Sequence, residues 1–160
     1  MLRRLLIIFC ILFYSVNVLY ADDSSLNLPE ERFNPGSSVY PFKRLSEKIQ
    51  SKLIFSKVKN VRYQGKLVER RLSEFNFIVK NKYLSSIEFS SQRFSAQAGV
   101  YIDGLAKLEN EKGVDATFQN FSKYIKLLEE MRDQFPANSS QWLLLQQNID
   151  TLNILSKKIS

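Results

Sequence analysis

The sequence predicts an all-α protein, either an antiparallel helical bundle or an array of extended helical hairpins, with four to five helices. Apolar residues recur at helical spacing in five successive stretches of the chain. The 160 residues include only five Gly and four Pro, too few for a turn-rich all-β protein. The connections between the stretches are short, so we expect consecutive helices to run antiparallel.

The N-terminal residues predict export. A basic start with Arg3 and Arg4 precedes an almost wholly apolar run, Leu5 to Tyr20, and the chain then turns polar after Ala21. This order is typical of a secretory signal peptide over residues 1–21, and the alternative is an uncleaved N-terminal anchor. We therefore expect a bacterial protein that is periplasmic, associated with the cell envelope or secreted. Residues 22–38 are predicted to be a flexible leader, and residues 39–160 a single helical domain.

The first two helices carry the first two apolar stripes. Pro41 is suited to the first turn of the first helix, and Ser37 or Ser38 is its candidate N-cap. We expect its stripe to face the core: Phe42, Leu45, Ile49 and Leu53. The second stripe runs from about Ser56 to Asn81 and includes Gly65, where a neighbouring helix could approach closely.

Three more helices follow in the C-terminal half. The third stripe runs from Leu84 to Leu108, and Gly113 is predicted to end its helix. The fourth ends before Pro136, which cannot continue a helix. Residues 138–140, Asn-Ser-Ser, then supply an N-cap for a fifth helix that begins near Trp142.

Positive charge is concentrated in the first two helices. Residues 43–82 hold twelve basic and three acidic residues. The candidate anionic-ligand face consists of Lys48, Lys52, Lys59, Arg62 and Lys66. An anionic lipid or wall polymer would be its ligand, and nucleic acid is not expected for an exported protein. The alternative, which we favour from sequence alone, is a solvated helix face that binds nothing.

A second charged group has a structural interpretation. We expect Glu47, Arg70, Arg71 and Glu74 to form a salt-bridged seam that fixes the first helix against the second. In it Arg70 pairs with Glu74 one turn later, and Arg71 reaches Glu47 on the neighbouring helix. The alternative is an arginine clamp for a carboxylate or phosphate, which requires guanidinium groups that have no acidic partner.

The sequence offers little for catalysis. It contains no His, and its only cysteine, Cys10, lies in the apolar N-terminal run. Neither glycine-rich phosphate-binding motif occurs. We therefore assign no catalytic, cofactor-binding or metal-binding residue and expect a protein that is not an enzyme. Phe77 and Phe89, which lie outside the main stripes, are the candidate apolar partner surface.

Two segments carry a family resemblance: YPFKRLSEKIQSKLIFS, from Tyr40, and YQGKLVERRLSE, from Tyr63. Together they resemble a family of exported bacterial helical domains of unknown function, also found in extracytoplasmic parts of proteins similar to sigma-factor regulators. The resemblance is good from Tyr40 to about Leu108 and weaker beyond. It implies an α-helical extracytoplasmic domain and no activity. Because this chain has a single hydrophobic segment, we do not expect it to be such a regulator.

These observations predict an exported, non-catalytic helical domain that acts by protein–protein interaction in the cell envelope. The alternative function is binding of an anionic wall polymer or membrane surface through the basic first two helices. A second alternative is a periplasmic holdase-type chaperone. The sequence identifies neither the envelope partner nor the oligomeric state.

Overall fold

The protein is described by a computed structural model that covers residue 26, residues 28–108 and residues 111–159, without the side chains of 111–114. The predicted signal peptide lies outside these residues. The described chain is helical and contains no strand, which confirms the predicted all-α helical bundle. Its five α-helices are α1 (Tyr40–Leu53), α2 (Lys57–Lys80), α3 (Ile87–Ala106), α4 (Glu111–Arg132) and α5 (Ser140–Ile159), and a 3₁₀ turn (Leu84–Ser86) precedes α3.

Some helix ends follow the sequence signals and others do not. Pro41 lies in the first turn of α1, the Ser56 hydroxyl caps α2, and the Ser139 hydroxyl accepts from the N–H of Trp142 at 3.2 Å. The prediction that Ser37 or Ser38 caps α1 is wrong, since the N-cap is Val39 and no side chain bonds there.

The prediction that Gly113 ends the third helix is also wrong. Helix α3 ends at Ala106, and Gly113 lies inside α4, which begins at Glu111. An isolated glycine costs a helix only about 1 kcal/mol, so the helix-forming residues that follow it tolerate it.

Helix α3 is at the centre of the bundle. It packs against α2 on one side and α5 on the other, and α5 also packs against α4. Gly65 lies where α2 and α3 approach each other closely, as predicted, and a Cβ added there would make a tight contact of 3.1 Å with Cε2 of Tyr101. In the described part of the chain the main hydrophobic cluster contains sixteen buried side chains: Val68, Leu72, Phe75, Ile78, Val79, Ile87, Phe94, Ala98, Ile102, Phe121, Tyr124, Leu128, Met131, Leu145, Ile149 and Leu152.

One buried amide links α3 to α5. Asn148 is fully buried, and its Nδ2 donates to the Ser91 hydroxyl at 2.6 Å and to the Leu144 carbonyl at 2.7 Å. Its Oδ1 accepts from the Ser95 hydroxyl at 2.7 Å. Because a buried amide is costly unless its bonds are made, this arrangement fixes how the two helices align.

The described residues that precede α1 contact the domain. Leu26 and Leu28 pack against the core, and the carbonyl of Pro29 accepts from the Ser73 hydroxyl of α2 at 2.7 Å. Glu31 forms salt bridges with Lys43 of α1 and Arg70 of α2. This part of the predicted leader therefore lies along the first two helices rather than away from them.

Helix α1 packs mainly against α2, and its apolar stripe does not face the core. Phe42, Leu45, Ile49 and Leu53 are all at least half exposed, and Phe42 reaches 73%. The prediction that this stripe faces the core is therefore wrong. The apolar stripe faces outwards because the polar groups on the opposite side of α1 have buried partners on α2.

Candidate functional site

Helix α1 turns its polar side towards the domain and its apolar side towards solvent. On the inner side Tyr40 and Glu47 are buried and Lys43 is nearly so. These residues are separated by three and four positions, so they lie on one line of the helix. The outward line, which we call the outer stripe, consists of Phe42, Leu45, Ile49 and Leu53.

A polar cluster joins α1 to α2. Arg71 of α2 is 1% exposed and forms salt bridges with Glu47 of α1 and with Glu74 of its own helix. The Tyr40 hydroxyl donates to Oε2 of Glu74 at 2.7 Å, and Nζ of Lys43 donates to Oε1 of Glu74 at 2.6 Å. Each acidic residue of this cluster therefore has a cationic partner, as buried charges require.

Further cations surround the cluster. Nη1 of Arg44 lies 3.1 Å from Oε2 of Glu47, and Nη1 of Arg70 lies 3.6 Å from Oε1 of Glu47. Arg93 of α3 donates to the Tyr40 hydroxyl at 3.2 Å, and its guanidinium lies 5.4 Å from the centre of the Tyr40 ring. Tyr40 of α1 thus contacts both α2 and α3.

The cluster shifts the pKa values of its members. Burial, followed by the nearby Glu74 carboxylate, raises the pKa of Tyr40 to about 12. Burial alone would lower the pKa of Arg71, but the carboxylates of Glu74 and Glu47 outweigh it, and the net pKa is raised. Tyr40 is therefore neutral and Arg71 charged at physiological pH.

All four residues of the predicted charge seam meet in this cluster. Arg71 reaches Glu47 as expected, but Glu74 pairs with Arg71 and Lys43, whereas Arg70 turns towards Glu47 and Glu31. Because both terminal nitrogens of Arg71 are held by acids of the domain, the geometry does not fit an arginine clamp for an external anion.

Sequence reasoning missed Tyr40, Lys43, Glu31 and Arg93 as members of the cluster. The i, i+3, i+7 spacing of Tyr40, Lys43 and Glu47 is visible in the sequence and places them on one side of α1. No comparable signal exists for Glu31 and Arg93, because their contacts bridge segments that are far apart in the chain.

The five residues of the predicted cationic face are all exposed. Lys48 and Lys52 lie on α1, and Lys59, Arg62 and Lys66 follow helical spacing on α2. In the described part of the chain none of the five forms an ion pair with a carboxylate. Their charges therefore face solvent. This exposure agrees both with a solvated face that binds nothing and with a face that binds an anion.

Arg62 and Lys66 also line an open cleft of about 280 Å³ between α2, α3 and α4. Inside it the Tyr124 hydroxyl donates to Oε1 of Glu69 at 3.3 Å. Burial raises the pKa of Glu69, against the opposing effects of the Tyr124 hydrogen bond and of Lys66. Burial and the Glu69 carboxylate raise the pKa of Tyr124. The titratable pair in this cleft is therefore one carboxyl group and one phenol. Among the described residues, no group of three or more His, Cys, Asp or Glu side chains could hold a metal ion.

The two residues of the predicted apolar partner surface have different environments. Phe77 is partly buried against the core, and its ring centre lies 6.0 Å from that of Tyr83. Phe89 is 64% exposed, and the Arg93 guanidinium lies 5.6 Å from the centre of its ring. Only Phe89 therefore offers substantial apolar surface to a partner.

The outer stripe is the start of a longer exposed apolar run. After α1 ends, Phe55 is almost fully exposed and Val58, at the start of α2, is half exposed. Six large apolar side chains thus face solvent within seventeen residues of chain. Soluble monomers rarely expose contiguous apolar patches of more than a few hundred Å², and larger ones mark interaction sites. No described helix is both long and apolar enough to cross a bilayer.

Comparison with known proteins gives a family but no function. The model of a family described as Domain of unknown function (DUF5667) matches residues 32–158. The chain matches no curated protein and no solved structure. The matched range begins one residue after Glu31 and reaches Lys158 in the last turn of α5, so it includes the outer stripe and the members of the polar cluster on α1, α2 and α3.

Proposed function

Because the chain belongs to the DUF5667 family, a family of unknown function, we propose a function from the geometry of the chain itself. The protein is an exported, non-catalytic interaction domain of the bacterial cell envelope, and it binds through the outer stripe of α1. The order of basic, apolar and polar residues at the N-terminus supports export. The helical bundle then serves as a rigid support for one exposed helix.

The observation that carries this proposal is the orientation of α1. A helix on a globular protein normally buries its apolar stripe against the core. Here the polar cluster fixes the opposite side to α2, so the apolar side chains remain available to another molecule. The sequence favours a partner protein of the envelope as the ligand.

A second candidate ligand is an anionic surface, either lipid or wall polymer. It is favoured by the charge around the outer stripe, because Lys48 and Lys52 are exposed beside it and Lys57 and Lys59 follow it along the chain. Both candidates use the same side of α1.

Site-specific photo-crosslinking in the native host tests the proposal. A photoreactive residue at Ile49, in the outer stripe, is compared with one at Ile154, an exposed isoleucine of α5. We expect an adduct with an envelope component from position 49 and little from position 154. The adduct should be lost when Leu45→Ser is added. Equal adducts from both positions, or none from position 49, would contradict the proposal.

A further inference from the structure

The chain segment that contains the outer stripe exposes only positively charged side chains among its charged residues. Between Pro41 and Val68 the chain has eight basic residues, Lys43, Arg44, Lys48, Lys52, Lys57, Lys59, Arg62 and Lys66, and one acidic residue, Glu47. Glu47 is buried and paired with three arginines. No acidic side chain of this segment is therefore exposed, and its surface charge is entirely positive.

The lysines of α1 border the outer stripe. Lys48 follows Leu45 by three positions and Lys52 follows Ile49 by three, so each lies beside an apolar residue on the helix surface. Both lysines are exposed. A lysine stem is aliphatic, so its ammonium can reach a charged layer while its stem lies along an apolar one.

This arrangement matches a helix that lies in a membrane interface. Such a helix has an apolar face with Phe and Leu and a polar face, rich in Lys and Arg, that faces away from the lipid. In α1 the polar side is already bound to the domain through Arg71, so the helix can meet a flat surface with its apolar side.

We infer that the ligand of the outer stripe is an anionic lipid surface, with Phe42, Leu45, Ile49 and Leu53 among the acyl chains and Lys48 and Lys52 at the headgroups. This inference rests on the proposed function and names the ligand of the same site. A wall polymer would satisfy the lysines but offers no apolar phase to the outer stripe. A protein partner would need an apolar surface bordered by acids, whereas an anionic bilayer has both properties along its whole surface.

Depth-dependent fluorescence quenching tests the inference with the full chain. In a Trp142→Phe background, which removes the only native tryptophan, Ile49→Trp is compared with Ile154→Trp. Each variant is mixed with phosphatidylcholine vesicles that have brominated acyl chains, with or without phosphatidylglycerol. Both variants keep the N-terminal apolar segment, so any attachment through that segment is the same in both.

We expect bromine to quench the tryptophan at position 49 and not the one at position 154, and only when phosphatidylglycerol is present. A lysine near an anionic surface contributes about fivefold to partitioning, so Lys48→Gln with Lys52→Gln should weaken binding about twenty-five-fold. High salt should weaken it in the same way.

Three results would overturn the inference. Equal quenching at both positions means that the outer stripe is not the membrane-facing side. Equal quenching without phosphatidylglycerol means that anionic charge is not recognised. Absence of quenching at position 49 rules out lipid as the ligand. If a photoreactive residue at position 49 then still crosslinks to an envelope protein, or if the protein binds purified wall polymer through the outer stripe, the proposed function stands. If neither is observed, both proposals fail.

Discussion

The orientation of α1 can be tested with two leucine-to-alanine substitutions on neighbouring helices. Leu72 of α2 is completely buried, and Leu45 of α1 is 54% exposed. Truncating a buried leucine costs about 2–5 kcal/mol of unfolding free energy, because transfer energy is lost and a cavity is left. Full burial of a leucine side chain contributes about 1.5–3 kcal/mol, so the minor buried part of Leu45 corresponds to about 1 kcal/mol. Because solvent already reaches Leu45, no closed cavity forms there.

Urea unfolding followed by far-ultraviolet circular dichroism measures both effects. We expect Leu45→Ala to lower the unfolding free energy by about 1 kcal/mol or less, and Leu72→Ala by about 2–5 kcal/mol. Tyr40→Phe is the control that reports whether α1 unfolds together with the bundle. It leaves Glu74 without a buried hydroxyl donor, so a loss of about 1–3 kcal/mol is expected. If Leu45→Ala costs as much as Leu72→Ala, the outer stripe faces the core and the orientation of α1 described above is wrong.

Two further predictions concern the polar cluster. Arg71→Met removes the buried cation that Glu47 and Glu74 share, although Arg44, Arg70 and Lys43 still pair with them, so it should cost about 1–3 kcal/mol in urea unfolding. Adding Glu47→Gln and Glu74→Gln should recover part of that loss; a triple variant no more stable than Arg71→Met would contradict this. Because the pKa of Tyr40 is raised from 10.0 in the unfolded chain to about 12 in the folded protein, the neutral phenol stabilises the fold below pH 10. That contribution should decline as the pH rises from about 10 through about 12, and an unchanged pH slope in Tyr40→Phe would count against it.

The sequence predicts that α1 has two sides but not which side faces the core. Its apolar residues recur at helical spacing, and a stripe of this kind usually packs inwards. The decision depends on Arg71 and Glu74, which are more than twenty positions further along the chain than Glu47. The sequence suggests that Glu47 pairs with Arg71, but it does not show that this pair is buried, so only the folded arrangement shows which side of α1 faces the domain.

The core helices of the bundle are easier to predict from the sequence than the orientation of α1. Most apolar side chains at helical spacing in α2 and α3 are buried, and Gly65 lies where these two helices approach each other. The incorrect predictions of helix ends arose where a local signal was weak. Gly113 can end a helix or lie within one at a cost of about 1 kcal/mol, so glycine alone does not decide. Among the site residues, the sequence identified four charged members of the cluster but paired Glu74 with Arg70 rather than with Arg71 and Lys43, and it missed Glu31, Lys43 and Arg93.

The attachment of α1 also affects the entropy of any binding event. An isolated helix of fourteen residues is marginal in water, and a peptide with the sequence of α1 would have to become ordered as it bound. In the domain the contacts of Tyr40, Lys43 and Glu47 have already fixed the helical backbone. A ligand therefore meets Leu45 and Ile49 on a preorganised helix, and it does not bear the conformational cost that folding upon binding would impose.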